Sequence, residues 1–387
     1  MKKILYVDVP FIGISDGGAN RSKFIWNTLI NHYEVDWLEL QREGIAAATG
    51  LPSGMNDHFT LHTETDSRFY KPIMIYRFRS EAKQKFIEII KTNKYDIIFL
   101  RFSSPAALGK LAEPYCPALV FDVDMILSRL SQLSWQQSRV FKNRYYLLEG
   151  LKQRWFERKF FRKKYLFLFT NYLEKEMVQK KIGQENAENF QVLPNVMNPQ
   201  KVCVNTKEDR VLFFGTLTSS ANANALQFIS EDIYPLICEE LKKRDLYLDI
   251  AGKGWHEHFS SYFYGKQRLR YVGEVADIQQ ELSDSLFIFL PLRVASGTRT
   301  RILEVANQYR AVLTTSIGME GLELREQEIV IENSAKELAR EFINLLDNPL
   351  RRLSLGQKLH FKCRELYLDS NVSRSLKEML DKKAWLK

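Results

Sequence analysis

The residues best placed to do chemistry lie at 291–304, PLRVASGTRTRILE. An apolar run at 286–290 leads into Pro291, Ser296-Gly297-Thr298 reads as a tight turn, and a helical pattern follows. The first N–H groups of a helix have no partner within the helix, and the helix dipole adds partial positive charge there, so such a start binds anions. Gly297 lets backbone come close to a ligand. Arg293, Arg299 and Arg301 flank the turn. Arg299 and Arg301 cannot share one helix face, but in a first turn both lean toward the N-terminus. Together these groups suit a diphosphate, and Glu304, about one turn further on, can accept hydrogen bonds from a ribose diol. A solvated basic helix start fits the same residues.

Further candidates follow other apolar runs. Gly252-Lys253-Gly254 predicts a close-approach loop, with Lys253 long enough to reach a phosphate. Gly17-Gly18, within SDGGANR at 15–21, is by itself only a turn. Asp122 and Asp124 stand at a strand end, where an aspartate either orients a substrate hydroxyl or caps the next helix. Cys116, Cys203, Cys238 and Cys363 are far apart, and no histidine pair has ligand spacing, so neither a metal site nor a disulfide framework is expected.

The elements that must position these groups alternate. Strand patterns at 3–9, 33–40, 73–78, 95–101, 118–123, 166–170 and 190–193 are separated by helical patterns at 81–92, 126–164 and 173–181. Residues 41–69 lack a period and are expected to form a long loop or insertion. After a polar, aperiodic stretch at 197–209, a second series begins, with strands at 211–215, 247–251, 269–272, 286–290, 311–315 and 328–331 and helices at 335–346 and 351–367. Alternation of this kind predicts parallel sheets with helices on both faces, hence two doubly wound α/β domains facing a cleft, with ligands at the carboxyl ends of strands. The expected domains are 1–197 and 198–367, with 368–387 a helix returning to the first.

PLRVASGTRTRILEVANQYRAVLTTSIGMEGL resembles the signature of glycosyltransferase family 4, in the subgroup with a P-L-R-x-x-S-G-T-R-x-K-I-L-E pattern followed by G-x-E-G. VLFFGTLTSSANANAL at 211–226, Pro194-Asn195, SDGGANR and Asp122-Val123-Asp124 are similar to further elements of that family. The resemblance implies the GT-B fold of two Rossmann-like domains, a nucleotide-sugar co-substrate (a UDP- or GDP-sugar), no cofactor or metal, and retention of anomeric configuration. It implies ribose binding by Glu304, diphosphate binding by Arg299 and Arg301, and donor contacts from Gly215, Thr216, Gly252, Lys253, Gly273, Val275, Arg293, Ser296, Gly297 and Thr298. Glu320, in Gly318-Met319-Glu320-Gly321, either faces the donor or caps its loop. The resemblance places Asp16, Gly17, Gly18, Asn20, Arg21, Asp122 and Asp124 on the acceptor side. Two departures stand out. Ser296 occupies the position of the first Glu in the family's E-x7-E motif, and Gly215-Thr216-Leu217-Thr218 lacks the family's cation. The implied activity is a metal-independent, retaining hexosyl transfer to a glycan or lipid-linked acceptor, in cell-surface polysaccharide or glycolipid synthesis. A GT-B sugar-nucleotide epimerase would share the fold but needs carboxylates beside the sugar.

The net charge of +9 is concentrated at 139–164, where ten Arg and Lys face two Glu and are interleaved with Phe, Tyr, Trp and Leu. Nucleic acid, an anionic membrane surface and simple solvation of a helix all fit a basic block. No helix-turn-helix, zinc, RRM or KH signature accompanies it, so nucleic acid is not expected as a partner. No apolar run reaches the roughly 18 residues of a membrane span. The Met-Lys-Lys start leads into too short an apolar stretch for a secretory signal. The expected location is the cytoplasm, peripheral on the inner face of the membrane through 139–164.

Overall fold

The computed structural model describes all residues except 13–16, 43–49, 66–71, 73–74, 137–143, 184–186, 206, 208, 295–298 and 383–387. The chain divides into two units. One comprises 1–135, 140–196 and 369–387; the other comprises 136–139 and 197–368.

In the first unit, strands β1 (Lys3–Asp8), β2 (Glu34–Arg42), β3 (His58–Thr65), β4 (Tyr76–Arg77), β5 (Ile97–Arg101), β6 (Leu119–Val123), β7 (Leu166–Phe169) and β8 (Phe190–Val192) form one sheet. Its order is β4-β3-β2-β1-β5-β6-β7-β8, parallel throughout except for β3 and β4. The helices are α1 (Gly17–Ile30), α2 (Ser80–Asn93), α3 (Ala106–Ala112), α4 (Leu127–Gln136), α5 (Arg144–Phe160) and α6 (Tyr172–Ile182), and α15 (Asp369–Asp381) packs against α1. Two apolar cores, one on each face, sandwich the sheet, which explains why β1, β5, β6 and β7 are apolar runs rather than alternating ones.

Strand β3 corrects the sequence reading of 41–69 as loop. His58–Thr65 contains only two apolar residues, Phe59 and Leu61, so no strand-like run is visible. It is nevertheless held in parallel register against Trp37–Arg42 of β2. The strand expected at 73–78 is described only as Tyr76–Arg77.

The second unit has a wholly parallel sheet of β9 (Arg210–Phe214), β10 (Tyr247–Ala251), β11 (Leu269–Gly273), β12 (Ile288–Leu290), β13 (Val312–Thr314) and β14 (Val330–Ile331). The order is β11-β10-β9-β12-β13-β14. The chain winds outward from β9 to β11, then returns to the other side of β9 and winds outward again. The switch point therefore lies between β9 and β12, where open α/β sheets bind ligands. Its helices are α7 (Ser220–Phe228), α8 (Tyr234–Lys243), α9 (Ser260–Phe263), α10 (Ile278–Ser283), α11 (Thr300–Asn307), α12 (Ser316–Met319), α13 (Ala335–Asp347) and α14 (Pro349–Tyr367). A π-helical turn, Ile229–Ile233, joins α7 to α8.

Candidate functional site

The second unit gathers most of the candidate residues at the carboxyl edge of its sheet. Beyond the strand ends, β9, β10 and β11 stay joined backbone to backbone. The Gly215 N–H donates to the Ala251 carbonyl (3.0 Å), Gly252 N–H to the Gly273 carbonyl (2.8 Å) and Leu217 N–H to the Lys253 carbonyl (2.8 Å). Such close loops leave no room for side chains. Gly215 and Gly252 have φ of 149° and 150°. A Cβ on Gly252 would overlap the Gly215 carbonyl, and one on Gly215 would lie 2.6 Å from Asn222 Nδ2. Gly252→Ala is accordingly expected to destabilise the second unit by about 2 kcal/mol or more, since backbone must move and φ is unfavourable. At about 2–4 °C per kcal/mol, the unfolding midpoint should fall by about 4–8 °C. An unchanged midpoint would mean that the loops relax freely.

Arg301 occupies the switch point. Its Nη1 donates to the Phe214 carbonyl at the end of β9 and lies against Gly215. It reaches there because α11 begins at Thr300, so residue 301 is in the first turn of the helix that follows β12. Burial of the guanidinium pulls its pKa down to about 10, an effect that the charge of Glu304 opposes. Burial likewise raises the Glu304 carboxyl, with Arg301 opposing. Cation and carboxylate sit three residues apart, neither in full contact with water, each stabilising the other's charge.

Asn222 completes this cluster, and the residue reading had not singled it out. It lies in the first turn of α7, is 5% exposed, and donates from Nδ2 to the Thr216 carbonyl (2.8 Å). Its Oδ1 is buried with no hydrogen-bond partner among the described residues. The run ANAN at 221–224 carried the only signal: an Asn at the start of a helix following a glycine turn. Two helix starts, α7 and α11, thus converge on Gly215 with Arg301 between them.

The other candidates are distributed around this point. Arg299 Nε donates to the Ile317 carbonyl (3.3 Å), tying the start of α11 to α12. That short helix sits close on the sheet: Gly318 packs against Thr314 and the Leu290 carbonyl, and Thr315 caps α12 by accepting from the Gly318 N–H. Glu320 follows at its C-terminus, half-buried. Arg293 turns to the outer side of α7, where Nε donates to Asn224 Oδ1 (3.2 Å) and the guanidinium covers the Phe228 ring with Asp232 at 3.9 Å. Lys253 is exposed and paired with Glu274 (2.8 Å) across the β10 and β11 loops. Thr216 is exposed, Gly273 has φ of 84°, and Val275 packs on the core edge. Ser296, Gly297 and Thr298 lie outside the described residues.

In the first unit the acceptor-side candidates separate. Asp16 lies outside the described residues. Gly17 and Gly18 open α1, and Asn20 on its next turn is exposed. Arg21 and Asp122 are not on an open surface: they are 2% and 0% exposed. Arg21 donates through Nε and Nη2 to the two Asp122 oxygens, and further to the Leu193 and Pro194 carbonyls and Asn195 Oδ1. Arg101, absent from the sequence candidates because it ends an apolar strand, donates to the same carboxylate, to Ser22 Oγ and to the Gly18 carbonyl. Asp8 lies 3.6 Å from Arg101 and accepts from Tyr6 Oη (2.8 Å). Burial alone would raise the Asp122 carboxyl, but Arg21 and Arg101 hold it below the usual aspartate range. Asp122 is therefore neither a helix cap nor open to a ligand, since its lone pairs are spent on two guanidiniums. Asp124 is half-buried beyond the strand end.

The model of the family described as glycosyl transferases group 1 matches residues 208–348, the segment that carries the switch-point cluster. No curated protein matches the chain significantly in sequence. Three solved structures share its fold over nearly the whole length. HepE from Anabaena in complex with UDP and glucose has a TM-score of 0.71 at 12% identity, covering 98% of this chain and 99% of that one. Sucrose-phosphate synthase from Thermosynechococcus elongatus has a TM-score of 0.71 at 13% identity, covering 98% of each. WaaG, a glycosyltransferase involved in lipopolysaccharide biosynthesis, has a TM-score of 0.68 at 11% identity, covering 98% and 100%. The chain has the GT-B architecture: two α/β units whose sheets are predominantly parallel.

Proposed function

We propose that the chain is a glycosyltransferase that moves a hexosyl group from a UDP- or GDP-sugar to a glycan or lipid-linked sugar, with retention of configuration and without a resident metal, in the synthesis of a cell-surface polysaccharide or glycolipid. The observation that carries the reading is Arg301, a cation desolvated at the switch point between two helix starts, with Glu304 one turn behind it. A diphosphate adds counter-charge to a guanidinium whose burial Glu304 offsets only in part, and Glu304 is placed to accept from a ribose diol. The group 1 match over 208–348 and the UDP named with HepE support the donor class.

In this reading the acceptor oxygen attacks the anomeric carbon as the bond to the diphosphate oxygen breaks. The electron pair leaves with the diphosphate, where Arg301, Arg299 and the helix-start N–H groups stabilise the growing charge. The acceptor's proton passes to a leaving phosphate oxygen, so no side-chain base is required. Among the acceptor-side candidates Asn20 and Asp124 remain in play, because Arg21 and Asp122 are enclosed.

The test is a thermal-shift series with UDP, GDP, ADP and the corresponding sugar nucleotides. A ligand at a hundred times its Kd stabilises the native state by about 2.7 kcal/mol. UDP or GDP should raise the midpoint and the free nucleoside should do so far less; no shift with any diphosphate would end the donor assignment. Transfer is also expected to survive EDTA. Asp122-Val123-Asp124 cannot form a two-carboxylate metal clamp while Asp122 is bound by Arg21 and Arg101. Loss of activity on chelation, restored by Mn²⁺ or Mg²⁺, would overturn the metal-independent step.

A further inference from the structure

Helix α5 is built inside out. Its inward stripe is polar over most of its length, Glu149, Gln153 and Glu157 each being no more than 6% exposed, and turns apolar only at the C-terminal end, where Phe160 joins the core. Two of these polar groups bond to α4: Gln153 Oε1 accepts from Ser131 Oγ (2.8 Å), and Glu157 accepts from the Ser128 N–H (2.9 Å) and Oγ, while Glu149 pairs with Lys152 on α5 itself. Its outward stripe is Leu147, Leu148, Leu151 and Trp155, exposed by 48%, 53%, 53% and 59%. A surface helix of a globular protein shows the opposite arrangement. Burying Glu157 against α4 fixes the rotation of α5, so the leucines are held outward and do not merely fray into solvent. Scattered exposed apolar residues need no explanation, but four on successive turns of one helix form a patch.

The charges around that patch are of one sign. Arg154, Arg158, Lys159 and, just past the helix, Arg162 and Lys164 are exposed, while both glutamates of α5 face inward. Lys159 Nζ lies 3.8 Å from the Trp155 ring centroid, so cation and indole are presented together. Beside the stripe, between α5 and α6, is a groove of about 490 Å³. It is lined by Phe161, Val178 and Ile182, by the cations Arg154, Arg158 and Lys181, and by Glu157, whose carboxylate accepts from the Ser128 N–H and Oγ, so the lining cations outnumber the carboxylate three to one. Phe156, Phe160 and Phe161 are interleaved with the same basic residues as Trp155. The structure divides them, turning Phe160 and Phe161 into the core and half-burying Phe156. Among the described residues no helix is long and apolar enough to cross a membrane.

We propose that α5 lies flat on an anionic phospholipid bilayer, with Leu147, Leu148, Leu151 and Trp155 at the headgroup–acyl boundary, the surrounding Arg and Lys on lipid phosphates, and the α5–α6 groove over one anionic headgroup. An interfacial helix needs an apolar stripe flanked by cations, and this helix offers that on its solvent side. Nucleic acid is the weaker match. Single strands stack on aromatic platforms, whereas the centre of this patch is three leucines that a phosphate backbone would leave bare. The inference stands on the first unit alone, so donor binding and bilayer binding succeed or fail separately.

Flotation of the full chain with vesicles tests it. The protein should float with vesicles containing phosphatidylglycerol and not with pure phosphatidylcholine, and should be released as salt shortens the Debye length. At about 1 kcal/mol per cation near the surface, the variant Arg158→Gln, Lys159→Gln, Arg162→Gln should lose about a hundredfold in partitioning. The variant Leu148→Ser, Leu151→Ser, Trp155→Ser should also lose at least about tenfold in low salt, although its charge is intact. Bromolipid quenching of fluorescence should be seen in the wild type and be reduced in Trp155→Phe. Failure of the wild type to float with anionic vesicles at low salt, equal flotation with neutral ones, wild-type partitioning of the serine variant, or displacement from vesicles by single-stranded RNA would each overturn the proposal.

Discussion

Arg301→Gln is expected to weaken binding of the nucleoside diphosphate by about 10- to 150-fold while leaving the free nucleoside unaffected. A hydrogen bond to a charged group contributes about 1.5–3 kcal/mol, and 1.4 kcal/mol is a factor of ten. The glutamine side chain ends two atoms short of Nη1, so the change removes the charge together with the contact to the Phe214 carbonyl. Glu304→Ala provides the contrast: if Glu304 holds the ribose, affinity for nucleoside and diphosphate should fall together. The empty protein should be weakened little by Arg301→Gln, because folding already disfavours the guanidinium's charge, which offsets the lost bond to Phe214 and the lost partner of Glu304. The sign can be followed in pH. Arg301 binds its proton more weakly in the fold than in the unfolded chain, so above about pH 10 the empty folded protein loses that proton first. A bound diphosphate retains the proton, and affinity should therefore decline as pH rises past that value. Calorimetry in two buffers of different ionisation enthalpy would report the proton uptake. Equal losses for nucleoside and diphosphate in Arg301→Gln would reduce Arg301 to a loop-shaping residue.

How much of this was legible in the sequence depends on the kind of interaction. The apolar runs of β1, β5, β9 and β12 announce central parallel strands because burial on both faces removes alternation. Strands toward the margin of the sheet lack that signature, so β3, next to the two-residue edge strand β4 and rich in Thr and His, reads as loop. In the second unit, glycine turns after strands located the carboxyl edge, since positions such as Gly252 tolerate no side chain. Partners were not legible. Arg293 and Arg301 look alike in PLRVASGTRTR, yet one lies on Phe228 and Asp232 while the other enters the switch point. That choice depends on where α7 begins, about 70 residues away. The rotation of α5 was hidden for the same reason: its polar stripe is inward only because Ser128 and Ser131 on α4 supply hydrogen bonds.

The largest structural effect is expected at Asp122, a residue that the family resemblance places on the acceptor side. Asp122→Asn should destabilise the first unit by about 3–5 kcal/mol, because Arg21 and Arg101 would remain buried with their shared counter-charge removed. Asp8→Asn should cost far less. Asp8 stands 3.6 Å from Arg101, its carboxyl is raised above the usual range by burial, and in the amide the oxygen can still accept from the Val9 N–H while the NH2 donates to Tyr6 Oη, whose own proton has the Ser22 carbonyl as acceptor. The two aspartates also respond oppositely to acid. Asp122 holds its proton less tightly in the fold than unfolded, so its contribution is complete above the ordinary aspartate range and disappears as pH falls through its lower folded value. Asp8 holds its proton more tightly in the fold, so acid favours the fold there. Denaturant titrations of the first unit's transition at neutral and acidic pH should show the wild type losing stability toward acid and Asp122→Asn losing much less. The consequence for activity follows from what Arg21 and Arg101 hold: Pro194 and Asn195 on one side, and the Gly18 carbonyl at the start of α1 on the other. Loosening them should raise the acceptor KM while donor affinity, set in the second unit, stays put. If Asp122→Asn unfolds at the wild-type denaturant concentration, the buried network contributes no net stability, and Asp122 regains its candidacy as a substrate contact.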